Sequence, residues 1–432
     1  LALAIPAFAQ GSSYQGPAVL TRGQLPSGLS APQVDFRPFV EVSSVYDTGL
    51  TGVIVSDQGQ LANTAAGGVE VVGGVSGIHA WEHTILELDY RGAFRQYTKQ
   101  TYYDGTDQLL RLAITHKFSR HMQLNLRENG GYFTRDFGIL GLPVYVPADP
   151  VSSYVPQTNF YDNRTFYAAT SADFTIQKTA RLSFNFGGDG FLTRRPSTAL
   201  YGVTGAAARA DVQYRLSRNM TVGAAYLFTE YHFTGVFGGT GIHSTVGSFS
   251  SRISRTMELS AYAGLMRVDN QFISSVPLDP VVAALLGETE GNVIKRDISY
   301  LPTFDGRLSK SLRQAMVYVG GSRTVTPGNG LFLTSKASAV FAGYTYTGLR
   351  RWSFNTTATA TRSQSIGNMV GNYNNYGGVL SASRQVSRAV HAIFSFGVQQ
   401  YSSGDVSNYN RVIYDARVGI GFAPGDVPVR FW

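Results

Sequence analysis

From Asp35 onward the chain keeps one pattern, in which apolar and polar side chains alternate residue by residue. Residues 84–95 show it best: Leu86, Leu88, Tyr90, Gly92 and Phe94 share one side, and Glu87, Asp89, Arg91 and Arg95 share the other. Successive side chains of a strand point to opposite faces, so a period of two means a sheet with one apolar and one charged face. The same split recurs along the chain. Leu110, Leu112 and Ile114 oppose Arg111, Thr115 and Lys117, and Leu124 and Leu126 oppose Gln123, Asn125 and Arg127. Phe184 and Phe186 oppose Arg181, Ser183 and Asn185, while Ala208, Ala210, Val212 and Tyr214 oppose Arg209, Asp211, Gln213 and Arg215. Near the end Val412, Tyr414, Ala416 and Val418 oppose Asp415 and Arg417.

A soluble sheet covers its apolar face with helices or a second sheet, and no run of helical period is present to do this. The longest apolar run, at residues 281–286 (VVAALL), is far short of the roughly 20 residues of a spanning helix. A chain that crosses a membrane without such helices must do so as a closed barrel, because an open strand leaves its backbone groups unsatisfied in lipid. Composition agrees with this. Charged residues make up 15% of the 432, below the roughly 25% of soluble domains, while Tyr and Phe together number 51 and Gly 48. That mixture suits many strands, frequent turns and two aromatic belts.

A repeated turn predicts the topology. Phe118-Ser119-Arg120-His121-Met122 returns as Leu216-Ser217-Arg218-Asn219-Met220, Ile253-Ser254-Arg255-Thr256-Met257, Leu308-Ser309-Lys310-Ser311-Leu312 and Val386-Ser387-Arg388-Ala389-Val390. Related turns lie near 178 and 349, and another is expected at residues 80–83. The spacing is about 37–40 residues, one strand pair per unit, and widens to about 55–59 where residues 135–163 and 269–292 read as long irregular segments. The expected fold is all-β: a transmembrane antiparallel up-and-down β-barrel of about 18 strands, with short periplasmic turns and long extracellular loops. Sixteen strands is the alternative if the Gly-rich residues 68–80 and the two-sidedly polar residues 242–252 do not pair. A short helix is expected at residues 279–286.

Outside the barrel, expected over residues 35–432, the first nine residues (LALAIPAFA) end in the small-x-small pattern of a signal-peptidase site and read as a signal-peptide remnant. Residues 10–34 are rich in Gly, Ser, Pro and Gln and read as a flexible periplasmic leader. The terminal Phe431-Trp432 resembles the C-terminal aromatic signal of bacterial outer-membrane barrels, although the last alternating stretch ends at Phe422. With the alternation and the turn asymmetry, the chain resembles outer-membrane β-barrel proteins of the porin type. That resemblance implies outer-membrane lipids and lipopolysaccharide as surroundings and the barrel-assembly machinery as partner during insertion. A homo-oligomer through the small-residue stretches at 205–210 and 358–360, or a surface partner bound by the loops, is a further expectation.

The chemistry expected is that of a wet lumen. Glu87, Asp89, Arg91, Arg95, Arg111, Arg127, Arg181, Arg209, Asp211, Arg215, Asp305, Arg307, Asp415 and Arg417 are the candidate lumen-lining and selectivity residues. Charged walls are costly to dehydrate, and their excess of Arg predicts a mild anion preference. Phe137, Tyr145, Tyr154, Phe160 and Tyr161 belong to the segment expected to form a constriction or an outer cap. The seven histidines stand at no ligand spacing and there is no cysteine, so no metal or other cofactor is expected. No nucleotide or nucleophile motif is present, and no enzymatic activity is expected. The +8 charge is spread singly along strands rather than in a basic block, which argues against nucleic acid. Passive diffusion of small polar solutes is the leading expectation. An export barrel, for a polysaccharide for example, and a structural surface barrel are the alternatives.

Overall fold

The computed structural model describes residues 36–49, 65–99, 104–134, 164–196, 201–287, 289–328, 333–366, 372–403 and 411–424. The signal-peptide, leader and C-terminal expectations fall outside these residues. The constriction or cap residues Phe137, Tyr145, Tyr154, Phe160 and Tyr161 lie outside them too.

Eighteen strands follow one another in chain order. They are β1 (Arg37–Asp47), β2 (Ala66–Ala80), β3 (Thr84–Tyr97), β4 (Gly105–Lys117), β5 (Met122–Phe133) and β6 (Thr165–Gln177). Next come β7 (Leu182–Arg194), β8 (Gly202–Arg215), β9 (Met220–Thr234), β10 (Gly238–Ser254), β11 (Met257–Pro277) and β12 (Glu290–Ser311). The set ends with β13 (Ala315–Thr326), β14 (Ser335–Tyr346), β15 (Trp352–Ser365), β16 (Asn372–Gln385), β17 (Val390–Ser403) and β18 (Arg411–Phe422). Each strand pairs antiparallel with the next, and β1 pairs with β18 from Val40↔Phe422 to Asp47↔Asp415, closing the sheet. No strand edge is left along the closed part, so backbone N–H and C=O groups are satisfied within the wall, as a lipid surround demands.

Both weak stretches form strands. The Gly-rich β2 pairs with β1 and β3, and β10 pairs with β9 and β11. The expectation of an irregular segment over residues 269–292 is corrected. β11 runs on to Pro277 and β12 begins at Glu290, and they pair from Met257↔Lys310 to Pro277↔Glu290 as a long hairpin. Only its tip is non-strand, and it carries the helix α1 (Pro280–Leu286), capped by the Asp279 side chain accepting from the Val281 N–H at 2.9 Å. The alternation of β11 and β12 continues past residue 269, and beyond Phe272, where β10 ends, β11 pairs with β12 alone.

The recurring Ser turns connect β4–β5, β8–β9, β10–β11 and β16–β17 at one end, where β1 starts and β18 finishes. Their Ser hydroxyls accept from the N–H two residues on, as Ser119 does from His121 and Ser217 from Asn219, both at 3.2 Å, which explains the residue type. At the other end most connections are longer. The exception joins β9 to β10, where Gly235 at φ 86° takes a left-handed position that other residues avoid.

Opposed residues of an antiparallel pair share a face, so the ladders carry one inside–outside assignment around the whole ring. The outward face holds Val42, Tyr46, Val71, Phe94, Leu110, Phe166, Phe186, Tyr226, Val340, Val418 and Ile420, all exposed. The inward face holds Glu70, Arg91, Arg95, Asp107 and Asp189, all buried. This inversion of a soluble protein is the wall of a transmembrane barrel, apolar toward lipid and polar toward the lumen. The molecule is a closed antiparallel β-barrel with the wall of a transmembrane barrel, its short turns gathered at one end.

Candidate functional site

The inner wall divides into two regions of different chemistry. On β18, β1 and the run from β2 to β8 it is ionic. The register puts Glu87, Asp89, Arg91 and Arg95 of β3 inward, facing Arg111 of β4 across Asp89↔Arg111. Arg127 of β5, Arg209, Asp211 and Arg215 of β8, and Asp415 and Arg417 of β18 follow on the same face. Arg181 stands in the turn before β7 and Arg215 at the end of β8, where the Arg215 N–H donates to the Arg181 carbonyl at 2.7 Å. These two therefore mark the mouth at the short-turn end.

Two charge networks hold this half together. In the first, Arg95 donates through Nε to Glu70 Oε2 at 2.8 Å and through Nη2 to Asp107 Oδ2 at 3.2 Å. Arg417 approaches the other oxygen of Glu70 at 3.8 Å, so one carboxylate ties β18 to β3 across β1 and β2. Asp107 also accepts from the Thr134 N–H at 2.8 Å, and Arg91 makes a two-toothed pair with Asp89 at 2.8 and 3.0 Å. In the second, Asp173 of β6 receives Arg127 at 2.8 Å and Arg209 on its other oxygen, while Arg209 reaches Asp189 at 3.1 Å. Gly187 lies between Asp173 and Arg209, where an added Cβ would stand 2.5 Å from both the Arg209 Nε and the Asp173 Oδ1. The glycine is the space the ion pair occupies.

Glu70, Asp107, Glu41 and Asp47 were missing from the sequence-derived set. Glu70 sits in β2, where Val69, Val71 and Val72 put apolar residues on both faces and blur the alternation. Asp107 opens β4, at a strand boundary where the period has only just begun. Both became identifiable as lumen groups only through their opposites, Arg95 and Ala93.

From β13 to β17 the inner wall is neutral. Thr357, Thr359, Thr361 and Ser363 line β15, and Ser381 and Ser383 line β16, with the Ser353 and Ser383 hydroxyls 2.6 Å apart. These five strands carry only four charged residues; the register turns Arg323, Arg362 and Arg384 outward, while Lys336 stands opposite Val325 at the inturned end of β13 and β14. β12 is the boundary. Its Asp305 and Arg307 face inward, and the Arg307 guanidinium lies 4.6 Å from the centre of the Tyr318 ring. Its Nε and Nη2 are buried without a hydrogen-bond partner.

At the outer mouth the ends of β13 and β14 turn into the lumen and pack on the inner face of β9–β11. Tyr231 donates to the Thr326 carbonyl at 3.4 Å, Thr240 to Asn270 at 2.9 Å, and Asn270 to the Ile366 carbonyl at 2.9 Å. Thr334 adds its hydroxyl to Asn270 at 3.2 Å. Tyr231, Ile242, Val268, Val325 and Leu333 form a buried apolar cluster beneath these bonds. Beside it Arg195, just beyond β7, donates to the Tyr201 carbonyl at 2.6 Å, and burial pulls its guanidinium down to about 10. This inward fold narrows the mouth from a side that the sequence did not suggest, since the segment singled out for that role was residues 135–163.

No family model and no curated protein matches the sequence. Among solved structures the chain is similar to OccK5 (OpdH) of Pseudomonas aeruginosa, at 14% identity over 90% of this chain and 98% of that one, with a TM-score of 0.42. It is also similar to a BenF-like porin from Pseudomonas fluorescens Pf-5, at 10% identity over 91% and 98%, with a TM-score of 0.43. A third is OccK2 (OpdF) of Pseudomonas aeruginosa in complex with glucuronate, at 11% identity over 90% and 98%, with a TM-score of 0.42.

Proposed function

We propose that this barrel is a passive diffusion channel for small polar solutes and ions, with a mild anion preference and no catalytic step. The observation that carries the reading is the division of the inner wall. A row of paired charges on β2–β8 faces a hydroxyl-rich neutral wall on β13–β17. Such a lumen keeps water, orders it across the pore, and offers hydrogen bonds without a deep binding well, which is what rapid permeation requires.

The ionic half contributes little net selectivity, because Arg95, Arg127 and Arg209 are neutralised by Glu70, Asp107, Asp173 and Asp189. The preference for anions rests on Arg307, whose Nε and Nη2 have no hydrogen-bond partner and whose guanidinium lies over the Tyr318 ring at the edge of the neutral wall. Single-channel recording of the full chain in a planar bilayer under a salt gradient tests both parts. Stepwise conductance with a reversal potential of the anion-selective sign is expected, and Arg307→Gln should bring that potential close to zero. A folded, heat-modifiable barrel without conductance would overturn the channel and favour an exporter that opens only with a partner. A cation-selective wild type would overturn the role given to Arg307.

A further inference from the structure

The outward wall carries an acid where lipid calls for an apolar side chain. On β5 and β6 the outward ladder pairs Leu124↔Phe174, Glu128↔Thr170 and Tyr132↔Phe166. Glu128 is thus equally far from an aromatic pair toward either end, in the middle of the span. Glu128 and Thr170 are both exposed, and the Thr170 hydroxyl donates to Glu128 Oε2 at 2.8 Å. Other outward acids have cations of their own. Glu230 lies 3.2 Å from His232, and Asp269 takes both Arg267 and Arg296. Glu128 has no cation among the described residues. Hydrocarbon does not solvate a carboxylate, so this position marks a part of the wall that meets something other than lipid. The strip beside it is flat. The Glu128–Thr170 row runs on through Gly190 and Ala206, and Gly188 and Ala208 follow one row nearer the short turns. Small residues let a second wall approach closely, as they do between membrane helices.

The complementary group stands across the ring. Arg323 faces outward beside Ser338 of β14 and opposite Phe304, in the last pair before β12 parts from β13. It has no ion pair among the described residues, and its Nε is buried without a hydrogen-bond partner. Between Asp305 and Asp405 the chain contains no Asp or Glu, so no carboxylate of β13–β17 neutralises it. Arg362, next in the row after Ser338, keeps that face cationic. Toward the short turns the outward residues are again mostly small, with Gly321, Ala342, Ala358 and Ala360 among them. The pairs β5–β6 and β13–β14 lie nearly half of the 18-strand ring apart. Counted from the short-turn ends of β5 and β13, Glu128 and Arg323 differ by two residues. For strands tilted by about 40° that is about 5 Å of depth, which the long arginine side chain spans.

We propose that copies of this barrel stand in rows in the membrane, the Glu128 face of one against the Arg323 face of the next. The Arg323 guanidinium donates to Glu128, the Thr170 hydroxyl holds the carboxylate in place, and the small-residue strips let the two walls touch. Opposite charges attract strongly where water is excluded, and the pair takes both charges out of lipid. Pairing of like faces is disfavoured, because it sets Glu128 against Glu128. The contact joins two different and nearly opposite faces, so it is heterologous and extends as a row instead of closing a small ring. Arg194, a cation on the acidic face, stands opposite Phe166, farther from the short turns than the contact row.

The chain has no cysteine, so crosslinking between introduced cysteines tests this directly. The full chain carrying Ala168→Cys on the acidic face and Ala360→Cys on the basic face is treated with a short bis-maleimide in membranes of the expressing cell. A ladder of dimers, trimers and longer species is expected. Either cysteine alone should give monomer, and a mixture of the two single-cysteine chains should stop at dimers. In the two-cysteine chain, Glu128→Arg or Arg323→Glu should each lower the crosslinked fraction by about tenfold, and the two together should restore it to within about twofold. Heat-modifiable migration checks that each variant is folded. Glu128→Gln and Arg323→Gln are the milder substitutions should a reversal misfold, and each should still lower the fraction several-fold. Dimers from Ala168→Cys alone would overturn the head-to-tail contact in favour of like faces. The absence of a ladder would mean that lipid or another protein covers Glu128. A ladder that a folded charge reversal leaves intact, or that the double reversal does not restore, would overturn the Glu128–Arg323 pair.

Discussion

The two halves of the inner wall are built from the same strand geometry and opposite chemistry. From β2 to β8 the inner face carries charges joined into networks, and from β13 to β17 it carries hydroxyls, amides, glycines and a few aromatics such as Tyr318 and Phe341. The ionic half is held by contacts that fail badly when one member is lost, since Glu70, Arg91, Arg95, Asp107 and Asp189 are buried. The neutral half is held by the backbone ladder and by weak side-chain bonds, so its inner residues are free to vary. A channel constructed in this way keeps its shape with one side and its permissiveness with the other.

Removing one ion from the stiff half should have the largest effect. Arg95→Met takes from Glu70 and Asp107, 1% and 5% exposed, the cation they share, leaving Glu70 with Arg417 at 3.8 Å. Breaking a buried pair from one side costs about 3–5 kcal/mol, read as a lower midpoint in urea unfolding of the detergent-folded barrel. An unchanged midpoint would mean that lumen water solvates these carboxylates and that the pairs do not stiffen the wall. Gly187→Ala comes next. Its methyl must displace the Arg209–Asp173 pair, an overpacking cost of about 1–3 kcal/mol, accompanied by a changed single-channel conductance. If stability and conductance both hold, the second network has another arrangement open to it.

The neutral half should respond in the reverse sense. Thr359→Asp puts a charge on a wall with none, and is expected to shift ion selectivity toward cations while moving the unfolding midpoint by no more than about 0.5 kcal/mol, as for solvated surface sites. A large loss of stability there would erase the distinction between the halves. The smallest effect belongs to Thr361→Ser, also on the neutral inner face. Neither conductance nor midpoint should change measurably, and a clear change in either would show that this face is more than permissive lining.

Much of the fold was legible beforehand, and the reason is local. Leu86, Leu88 and Phe94 against Glu87, Asp89 and Arg95 identify a strand and its two faces without reference to any neighbour. The Ser-Arg turns show where strands reverse, because the Ser hydroxyl bonds within its own turn. The residues that escaped were those whose role depends on what lies opposite. Glu70 is one charge among valines until β3 places Arg95 against it. Asp305 and Arg307 read like any other alternating pair, yet they separate the two chemistries of the lumen. The acid-free stretch between Asp305 and Asp405 was visible in the sequence, but only the register showed that Arg323, Arg362 and Arg384 take the outward face.

By itself the sequence determined which side of each strand a residue takes, since the pleat alternates every residue and a hydrophobic face admits no slip by one. It also determined that the sheet closes, because apolar outer residues and unpaired backbone edges are compatible with lipid only in a barrel. Tertiary structure alone decided which charges meet, where β1 joins β18, how the ends of β13 and β14 enter the lumen, and where β12 parts from β13. These depend on shear and register between strands tens to hundreds of residues apart, and such pairings come from the closure of the whole ring rather than from any local pattern.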